Sequence, residues 1–327
     1  MTHSISIDWR LGGALRLGIG LTILIAAACS PAEEQPAPGA ADGTSEADAG
    51  NFTERVYERN VVFASAMGDT AFFVPWMMQT VERPDTTERR ADAWLARGGV
   101  WDGFFSEEWG GPATRSPTRI LPYGGLQLLV GDGDVIDGLV FEDGGRSLEV
   151  FLDEVVASWS GTQGERFEVL TGSAYLADQR IDGMVLDMAR TAIDGAHTGG
   201  DWAFLLSGDS AHFVVAAEAE HGAEGDPAYR AWGAGDTTEP TRWPAVEVTW
   251  ARNEAFPPAR RDVPVSWRVT SEDETLEGTL DAASAEIEAG EGPGPLLPVR
   301  ALYEVTGELR TEDGTYPVYG ILVHERR

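Results

Sequence analysis

The chain of 327 residues combines 43% hydrophobic residues, including 11 Trp, with a formal net charge of −30, and its 24 basic residues are all Arg. The apolar content is enough for a packed core and excludes a wholly disordered chain. The excess of acidic residues excludes electrostatic binding of nucleic acid or of anionic lipid headgroups, because both need clustered Lys and Arg. The composition therefore predicts a globular protein without a nucleic-acid partner.

The chain begins with the pattern of a secretory signal. Arg10 and Arg16 precede an apolar stretch, residues 17–28, that has the length of a signal-peptide core and is too short to cross a bilayer. Directly after it comes Cys29, the only cysteine in the sequence. One interpretation of this pattern is a plain secretory signal followed by an unmodified cysteine.

The same segment resembles a bacterial lipoprotein signal with its lipobox, although Ala26 stands where those signals usually have Leu. The resemblance implies that residues 1–28 are removed and that Cys29 becomes the acylated N-terminus, which binds the protein to the lipid bilayer. A thiol is nucleophilic enough near neutral pH for this modification. Ser30 after the cysteine implies a position in the bacterial envelope at the outer membrane, facing the periplasm.

A segment without large apolar side chains follows the cysteine. Residues 30–50 consist mainly of Ala, Pro, Gly, Ser and acidic residues, so they contain nothing that a core would bury. We therefore expect residues 29–50 to form a disordered tether that begins at the acylated cysteine.

The rest of the chain has the pattern of a mostly β protein. Roughly sixteen short runs rich in Val, Phe, Leu, Trp and Tyr alternate with Gly, Asp, Asn or Pro turn signals. Strands that follow one another without alternating helices favour an antiparallel sandwich or barrel over a doubly wound α/β fold.

One short helix is expected within this β pattern, at residues 86–97. Asp85 and Glu88 are typical of a helix N-terminus, and a Gly-Gly pair after the segment is typical of a helix end. The apolar residues of the segment share one helical face: Ala91, Trp94 and Leu95.

The C-terminal part of the sequence resembles a known group of proteins. It contains a Pro-x-x-Trp strand at Pro264 and Trp267, the run ALYEVTGELR at 301–310 and the Gly-bearing aromatic strand YPVYGILVHER at 316–326. These features resemble the C-terminal half of the hydroxyneurosporene synthase (carotenoid hydratase) and AttH-like group. The first half departs from the group at residues 99–109, GVWDGFFSEEW.

This resemblance implies a fold and no catalytic residue. Members of the group consist of two lipocalin-like β-barrels side by side, so we expect an N-terminal β domain over residues 51–170 and a C-terminal lipocalin-like β domain over residues 171–327. A barrel of eight strands can hold one small ligand in its lumen or be filled by its own side chains.

The C-terminal half is rich in aromatic residues, which are candidates for lining a lipophilic cavity. The alternative is that they fill the core. The candidates are Trp202, Trp232, Trp250, Trp267, Tyr303 and Tyr319.

Two polar residues in the same half are weak candidates for acid–base chemistry. The neighbours of Glu304 on its strand, Leu302 and Thr306, predict that its carboxyl group points inward, where it would protonate a double bond. His324 alternates with apolar residues such as Leu322 and is a candidate pocket acid or base, with a structural histidine as the alternative. The histidines lack metal-ligand spacing and no HExxH or CxxC occurs, so we expect no metal and no cofactor.

Three functions remain open from the sequence. The favoured hypothesis is a non-enzymatic envelope lipoprotein that binds or carries a lipophilic small molecule. The alternative is an enzyme that hydrates or isomerises an isoprenoid-like substrate. The third is an envelope scaffold that binds another protein.

Overall fold

The computed structural model describes residues 53–67, 70–112, 124–131, 135–161, 165–177, 179–193, 201–208, 211–217, 228–235 and 240–326. Seventeen antiparallel β-strands and one 3-10 turn, Pro257–Ala259, run through these residues. In this part of the chain, no helix is long and apolar enough to span a membrane.

The first nine strands form one antiparallel sheet, called the curled sheet below. They are β1 (Arg55–Met67), β2 (Thr70–Glu82), β3 (Thr86–Arg97), β4 (Val100–Pro112), β5 (Leu126–Val130), β6 (Ile136–Asp143), β7 (Arg146–Ser160), β8 (Arg166–Leu176) and β9 (Gln179–Ile193). Their order in the sheet is β4-β3-β2-β1-β9-β8-β7-β6-β5, so the first and last strands of this region pair with each other.

The curled sheet bends until its two edge regions meet. Phe104 on the edge strand β4 packs against Phe141 on β6, near the opposite edge, with ring centroids 4.9 Å apart. Phe105 contacts the same ring at 6.1 Å. The inner face of the sheet therefore encloses a core of its own.

The last eight strands form a closed barrel. They are β10 (Trp202–Ser207), β11 (Ala211–Ala217), β12 (Tyr229–Ala234), β13 (Thr241–Phe256), β14 (Arg261–Ser271), β15 (Leu276–Ala289), β16 (Val299–Thr311) and β17 (Gly314–Arg326). Each strand pairs with the next, and β10 pairs with β17 to close the ring, for example at Phe204 and Ile321. The predicted architecture of two barrel-like β units side by side is thus confirmed.

The two units pack against each other through their outer faces, because several strands are apolar on both sides. In β1, Val61 and Phe63 point into the curled sheet, whereas Val62 and Ala64 point towards the barrel. This inter-sheet interface buries side chains from both units. Those of the barrel include Trp202, Phe204, Leu206, Val214, Trp232, Leu302, Ile321 and Val323.

The predicted helix at residues 86–97 is wrong, since this segment is strand β3. Ala91 and Ala93 face the core of the curled sheet, and Trp94 and Ala96 face the barrel. A strand that is apolar on both faces loses its period of two, and the remaining apolar positions match a helical period by chance. The expected helix signals belong to hairpins: the Gly-Gly pair has φ values of +56° and +80°, as a tight two-residue turn requires.

The predicted boundary between residues 170 and 171 lies inside β8, which pairs along its length with β7 and β9 of the curled sheet. The change from one sheet to the other comes later, between Ile193 and Trp202. Residues 51–327 form one compact unit, in keeping with the apolar contact between the sheets.

Candidate functional site

A cleft of about 320 Å³ lies at one end of the inter-sheet interface, where the curled sheet and the barrel diverge. Its walls come from β1, β2, β3 and β9 on one side and from β10, β15, β16, β17 and the segment after β15 on the other. Small-molecule sites in proteins usually have volumes of about 300 to 1,000 Å³. The cleft is therefore large enough for a small ligand.

The cleft is the polar continuation of the apolar interface. On β1, the face that carries Val62 and Ala64 continues with Asn60 and Glu58, which line the cleft. On β17, Val323 belongs to the interface, and the next residue on its face, Glu325, lines the cleft. Alternate residues of a strand share a face, so on these two strands the interface face changes from apolar to polar residues where it reaches the cleft.

Asp92 on β3 is the best connected polar residue of the cleft, and its side chain is only 2% exposed. Its Oδ1 accepts a hydrogen bond from Ser106 Oγ at 2.7 Å, and its Oδ2 accepts from Arg90 Nε at 2.7 Å and from an Arg300 terminal nitrogen at 2.8 Å. Burial by itself would raise the pKa of Asp92, but the hydrogen bonds from these groups and the charge of Arg300 hold that pKa below its usual value. Asp92 is therefore an ionised anchor.

Arg300 connects the two units across the cleft. Besides Asp92 of the curled sheet, it donates to Glu288 Oε2 of its own barrel at 3.0 Å, and its guanidinium lies 5.0 Å from the centre of the Trp94 ring. Burial alone would lower the pKa of Arg300, and the two carboxylates raise it above its usual value. This ion pair fixes the position of the barrel against the curled sheet at the cleft.

Arg190 on β9 is the most deeply buried cation of the cleft, with 3% of its surface exposed. Burial lowers its pKa, and the charges of nearby carboxylates, Glu58, Glu325 and Glu165, oppose this lowering. Arginine stays protonated in proteins, so these acidic groups offset the cost of burying its charge.

The described lining of the cleft is electrically balanced. Four cations stand against four carboxylates, and apolar side chains fill part of the remaining wall. The cations are Arg90, Arg190, Arg300 and Arg326, and the carboxylates are Glu58, Asp92, Glu288 and Glu325. The apolar contacts come mainly from Met77, Trp202 and Pro298.

The lumen of the barrel differs from the cleft, because side chains fill it. Trp267 and Tyr303 are both fully buried there and pack edge to face with ring centroids 5.0 Å apart. A lumen cavity bounded by Asp201, Trp267 and Leu280 has a volume of only about 10 Å³. That is room for about one water molecule.

A buried acid–histidine pair lies at one end of the lumen. Nδ1 of His324 is 2.7 Å from Oδ1 of Asp201, which directly precedes β10, and the two residues are 1% and 5% exposed. The Trp250 ring packs edge to face on the imidazole at 5.3 Å, and the Arg326 guanidinium lies 5.0 Å from the centre of that Trp250 ring. His324 is thus buried beside an acid, and its role as an acid or base stays a prediction.

The six candidate aromatic residues separate into two groups. Trp267 and Tyr303 lie in the lumen, and Trp250 is partly buried against the same core. The expectation that all six surround one cavity is wrong, since the outward faces of the barrel strands carry the other three, Trp202, Trp232 and Tyr319. Trp232 packs on Phe167 of the curled sheet at 4.7 Å, Tyr319 lies 6.5 Å from Phe73, and Trp202 lines the cleft.

The predicted inward orientation of Glu304 is also wrong. Its neighbours Tyr303 and Val305 face the lumen, so Glu304 points towards the curled sheet. There its Oε2 accepts a hydrogen bond from Ser284 Oγ at 3.0 Å, and Ser284 Oγ in turn accepts from Trp101 Nε1 at 3.0 Å. Glu304 therefore belongs to a polar contact between the two units and does not reach the lumen.

Sequence analysis missed Asp92, Arg190, Arg300 and Asp201. Asp92 and Arg300 are 208 positions apart, and Asp201 and His324 are 123 positions apart, so no local spacing connects them. A charged residue within or next to an apolar run could have indicated two of them. Asp92 lies within ADAWLA, and Arg190 directly follows MVLDMA. Such residues are rarely buried without a partner.

Cys29, the signal segment and the tether lie outside the described residues, so the predicted lipid anchor stays a prediction. Within the described part of the chain, no group of three or more His, Cys, Asp or Glu side chains could hold a metal ion.

No family model and no curated protein matches the chain by sequence. Among solved structures, the chain is similar to an AttH-like protein of Nitrosomonas europaea, with a TM-score of 0.57 and 10% identity over 92% of this chain and 100% of that chain. At this identity the likeness shows the fold, a paired β-barrel architecture, and nothing about activity.

Two further solved structures are less similar. Kievitone hydratase from Nectria haematococca has a TM-score of 0.49 and 11% identity over 83% of this chain and 88% of that chain. CghA has a TM-score of 0.45 and 14% identity over 84% of this chain and 88% of that chain. Both scores are too low to support an argument about this protein.

Proposed function

We propose that this protein is a lipid-anchored protein of the bacterial envelope that binds an amphipathic small molecule in the cleft between the curled sheet and the barrel. The observation that carries the proposal is the contrast in free volume, about 320 Å³ in the cleft and about 10 Å³ in the lumen cavity. The ligand site is thus assigned to the interface between the units, away from the packed lumen.

The lining of the cleft indicates the chemistry of the ligand. Its apolar part would contact Met77 and Trp202, and its polar part would reach the charged residues around Asp92. Because the cations and carboxylates of the lining are equal in number, a ligand with a large net charge would leave one sign uncompensated at a partly buried site. A neutral or zwitterionic polar group fits best.

The proposed anchor is acylated Cys29, with the barrels held at the outer membrane on the periplasmic side. Its support is the apolar segment, residues 17–28, that ends directly before the cysteine. A tether of about 20 residues reaches roughly 70 Å when fully extended. An amphipathic ligand is the kind of molecule that a protein in this position would meet.

Two measurements test ligand binding. Native mass spectrometry of the full chain carrying Cys29→Ser should detect the retained mass of a small molecule that mild activation removes. Titration with N-phenyl-1-naphthylamine, a neutral fluorescent amphiphile, should show saturable enhancement of its emission, because the cleft shields the probe from water.

A matched pair of variants locates the probe. Gln79 on β2 lines the cleft, and Gln127 on β5 is an exposed residue of the curled sheet that does not line it. Gln79→Trp should fill the cleft and weaken probe binding at least tenfold, and Gln127→Trp should bind like the parent chain. Equal binding by both variants would refute the cleft site. If native mass spectrometry finds no retained small molecule and the chain stably captures an envelope protein, the scaffold alternative would be favoured.

The anchor has its own test. Cells that express the full chain and are labelled with radioactive palmitate should incorporate label, and the Cys29→Ser variant should lose the label and move to the soluble periplasmic fraction. Label that persists in the variant would contradict acylation at this residue.

The second candidate function is a hydratase or isomerase acting on an apolar substrate, and the observation in its favour is the Asp201–His324 pair beside Trp250. His324→Gln should then abolish turnover of a panel of isoprenoid alkenes by the purified chain, whereas Glu304→Gln should not affect it. Absence of turnover by the parent chain, with amphiphile binding intact, would leave the binding protein as the function.

A further inference from the structure

Two carboxylates bind Arg300 at the cleft, and they differ strongly in exposure. Asp92 of the curled sheet has a side chain only 2% exposed and accepts a hydrogen bond from one terminal nitrogen of Arg300 at 2.8 Å. Glu288 of the barrel has a side chain 44% exposed and accepts from the other terminal nitrogen at 3.0 Å. The guanidinium is therefore shared between a buried carboxylate and one in contact with solvent.

The position of Arg300 does not depend on Glu288. Asp92 is itself fixed, because it accepts hydrogen bonds from two further side chains. The Trp94 ring lies 5.0 Å from the Arg300 guanidinium and adds a cation–π contact. Glu288, by contrast, accepts one hydrogen bond in the described part of the chain, the one from Arg300. A partly exposed ion pair of this kind contributes little to stability, so a structural role does not account for Glu288.

The Glu288 side chain belongs to the wall of the cleft. Glu288 and Arg300 are directly opposite each other on β15 and β16, so their side chains leave the barrel on the same face. The next residue on the Arg300 face, Leu302, lies in the inter-sheet interface, and Glu288 and Arg300 both line the cleft. The barrel therefore supplies Arg300 with an anion from its own wall.

Glu288 also completes the charge balance at this corner of the lining. Arg90 and Arg300 both bind Asp92, and Glu288 is the second lining carboxylate that contacts either of them. Glu108 pairs with Arg90 at 3.4 Å, but it is 73% exposed and does not line the cleft. Without Glu288, two guanidinium groups of the lining would share one carboxylate. Arginine in that condition is a binding group for a carboxylate or sulfonate.

We infer that Glu288 is the specificity-determining residue of the cleft, an inference that rests on the ligand site proposed above. Its carboxylate occupies the Arg300 nitrogen that the head group of an anionic amphiphile, such as a fatty acid, would bind. An anionic head group would have to displace Glu288, and two like charges would then stay close together at a partly buried site. A neutral or zwitterionic head group leaves the Glu288–Arg300 pair intact and is accepted.

Two fluorescent probes that differ by one charged group test this selectivity. N-phenyl-1-naphthylamine is neutral, and 8-anilino-1-naphthalenesulfonate has the same aromatic rings with an added sulfonate. The measured quantity is the ratio of the dissociation constant of the sulfonate to that of the neutral probe. For the full chain carrying Cys29→Ser, here the parent chain, this ratio should be at least about ten, because the sulfonate meets Glu288.

Neutral variants of Glu288 should remove the discrimination. Glu288→Gln keeps an oxygen acceptor for Arg300 and should lower the ratio at least about tenfold, since the sulfonate then compensates the free positive charge. Glu288→Ala should lower it as well, and it replaces the first variant if that one does not fold. The gain in sulfonate binding should disappear when Gln79→Trp is added to fill the cleft.

The matched control is Glu277→Gln. Glu277 lies on the same strand as Glu288, forms an ion pair with Arg310 directly opposite on β16, and does not line the cleft. Glu277→Gln changes the net charge by the same amount, so it should keep the ratio of the parent chain.

The two probes separate this inference from the function on which it rests. If the parent chain does not bind the neutral probe saturably, the proposed function fails. If it does, but the neutral variants of Glu288 leave the ratio unchanged or Glu277→Gln lowers it equally, the binding function stands and the role of Glu288 is overturned. A gain in sulfonate binding that persists with Gln79→Trp would place the sulfonate outside the cleft and would overturn that role as well.

Discussion

The lumen of the barrel and the cleft beside it share the strands β10, β15, β16 and β17, yet the lumen is filled by packed side chains and the cleft stays open. The inward side chains of eight strands converge on a common axis, so residues such as Trp267 and Tyr303 fill the space between them. The outward side chains meet the curled sheet in a buried apolar cluster, and the cleft borders this cluster. Trp202 borders both spaces and forms the wall between them.

The two faces of a barrel strand are therefore stabilised by different interactions. Inside the barrel, stability comes from apolar contacts that leave almost no free volume. At the cleft, the strands carry charged groups that are buried only because each finds a partner on the other unit or on its own. Free volume for a ligand therefore lies at the cleft, where charged pairs stand in place of close apolar packing.

The largest expected effect concerns the charged side of this comparison. Asp92→Ala removes the carboxylate that receives Arg90, Ser106 and Arg300, and leaves the buried Arg300 with a partner only on its own barrel. We expect a loss of about 3 to 5 kcal/mol in the free energy of unfolding by urea. The matched control is Asp182→Ala, whose ion pair with Arg180 is equally short but exposed and should cost less than about 1 kcal/mol. Equal losses would show that the cleft ion pairs are not structural.

The packed side is tested by Leu280→Ala in the lumen. Leu280 is 1% exposed, so its truncation should cost about 3 kcal/mol in the same unfolding measurement. Leu296→Ala, at a residue 53% exposed, should change stability by less than about 0.5 kcal/mol. A small effect at Leu280 would indicate that the lumen relaxes easily and is able to open for a ligand.

The pH dependence of Asp92 sharpens the same comparison. Its pKa in the folded protein is lowered, so its carboxylate stabilises the fold above its unfolded value of about 3.9, and this contribution is lost as the pH falls through the lower folded value. The difference in unfolding free energy between the parent chain and Asp92→Asn should be constant above about pH 5 and shrink below about pH 4. A difference that grows in acid would refute the ionised anchor.

The smallest expected effect lies at the polar contact on the other side of the interface. Ser284→Ala removes both the acceptor of Trp101 Nε1 and the donor to Glu304, and should cost about 1 to 2 kcal/mol. Glu304→Gln keeps an acceptor for Ser284 and should cost less. A larger loss with Glu304→Gln than with Ser284→Ala would mean that the charge of Glu304 has a role beyond this contact.

Much of the fold was predictable, because strand periodicity and turn residues act locally. The hairpin signals and the absence of alternating helices predicted an antiparallel β protein, and the resemblance of the C-terminal part to a known group implied its two units, as observed. The error at β3 has a physical origin: Ala91 and Trp94 are buried on opposite faces, so the strand shows no alternation of apolar and polar residues. The same two-sided burial leaves every residue of β11 buried.

The charged residues of the cleft were not predicted, and the strand period alone located the candidate residues only in part. His324 shares its face with Val318 and Leu322, and this face points into the barrel. Glu304 failed the same argument, because its neighbours Leu302 and Tyr303 are both fully buried, one at the interface and the other in the lumen. When both faces are apolar, hydrophobicity no longer distinguishes inside from outside.

By itself the sequence determined the β class of the protein, its acidic composition and the apolar segment before Cys29, because each depends on composition or on patterns a few residues long. The number of β units followed only from the resemblance of the C-terminal part to a known group. Only the tertiary structure decided that the lumen is full and that the free volume lies between the units. It also paired Asp92 with Arg300 and Asp201 with His324. These outcomes depend on how side chains fill the interior of the barrel and on how the barrel meets the curled sheet. Side chains more than a hundred positions apart come together only when both units have formed and packed against each other.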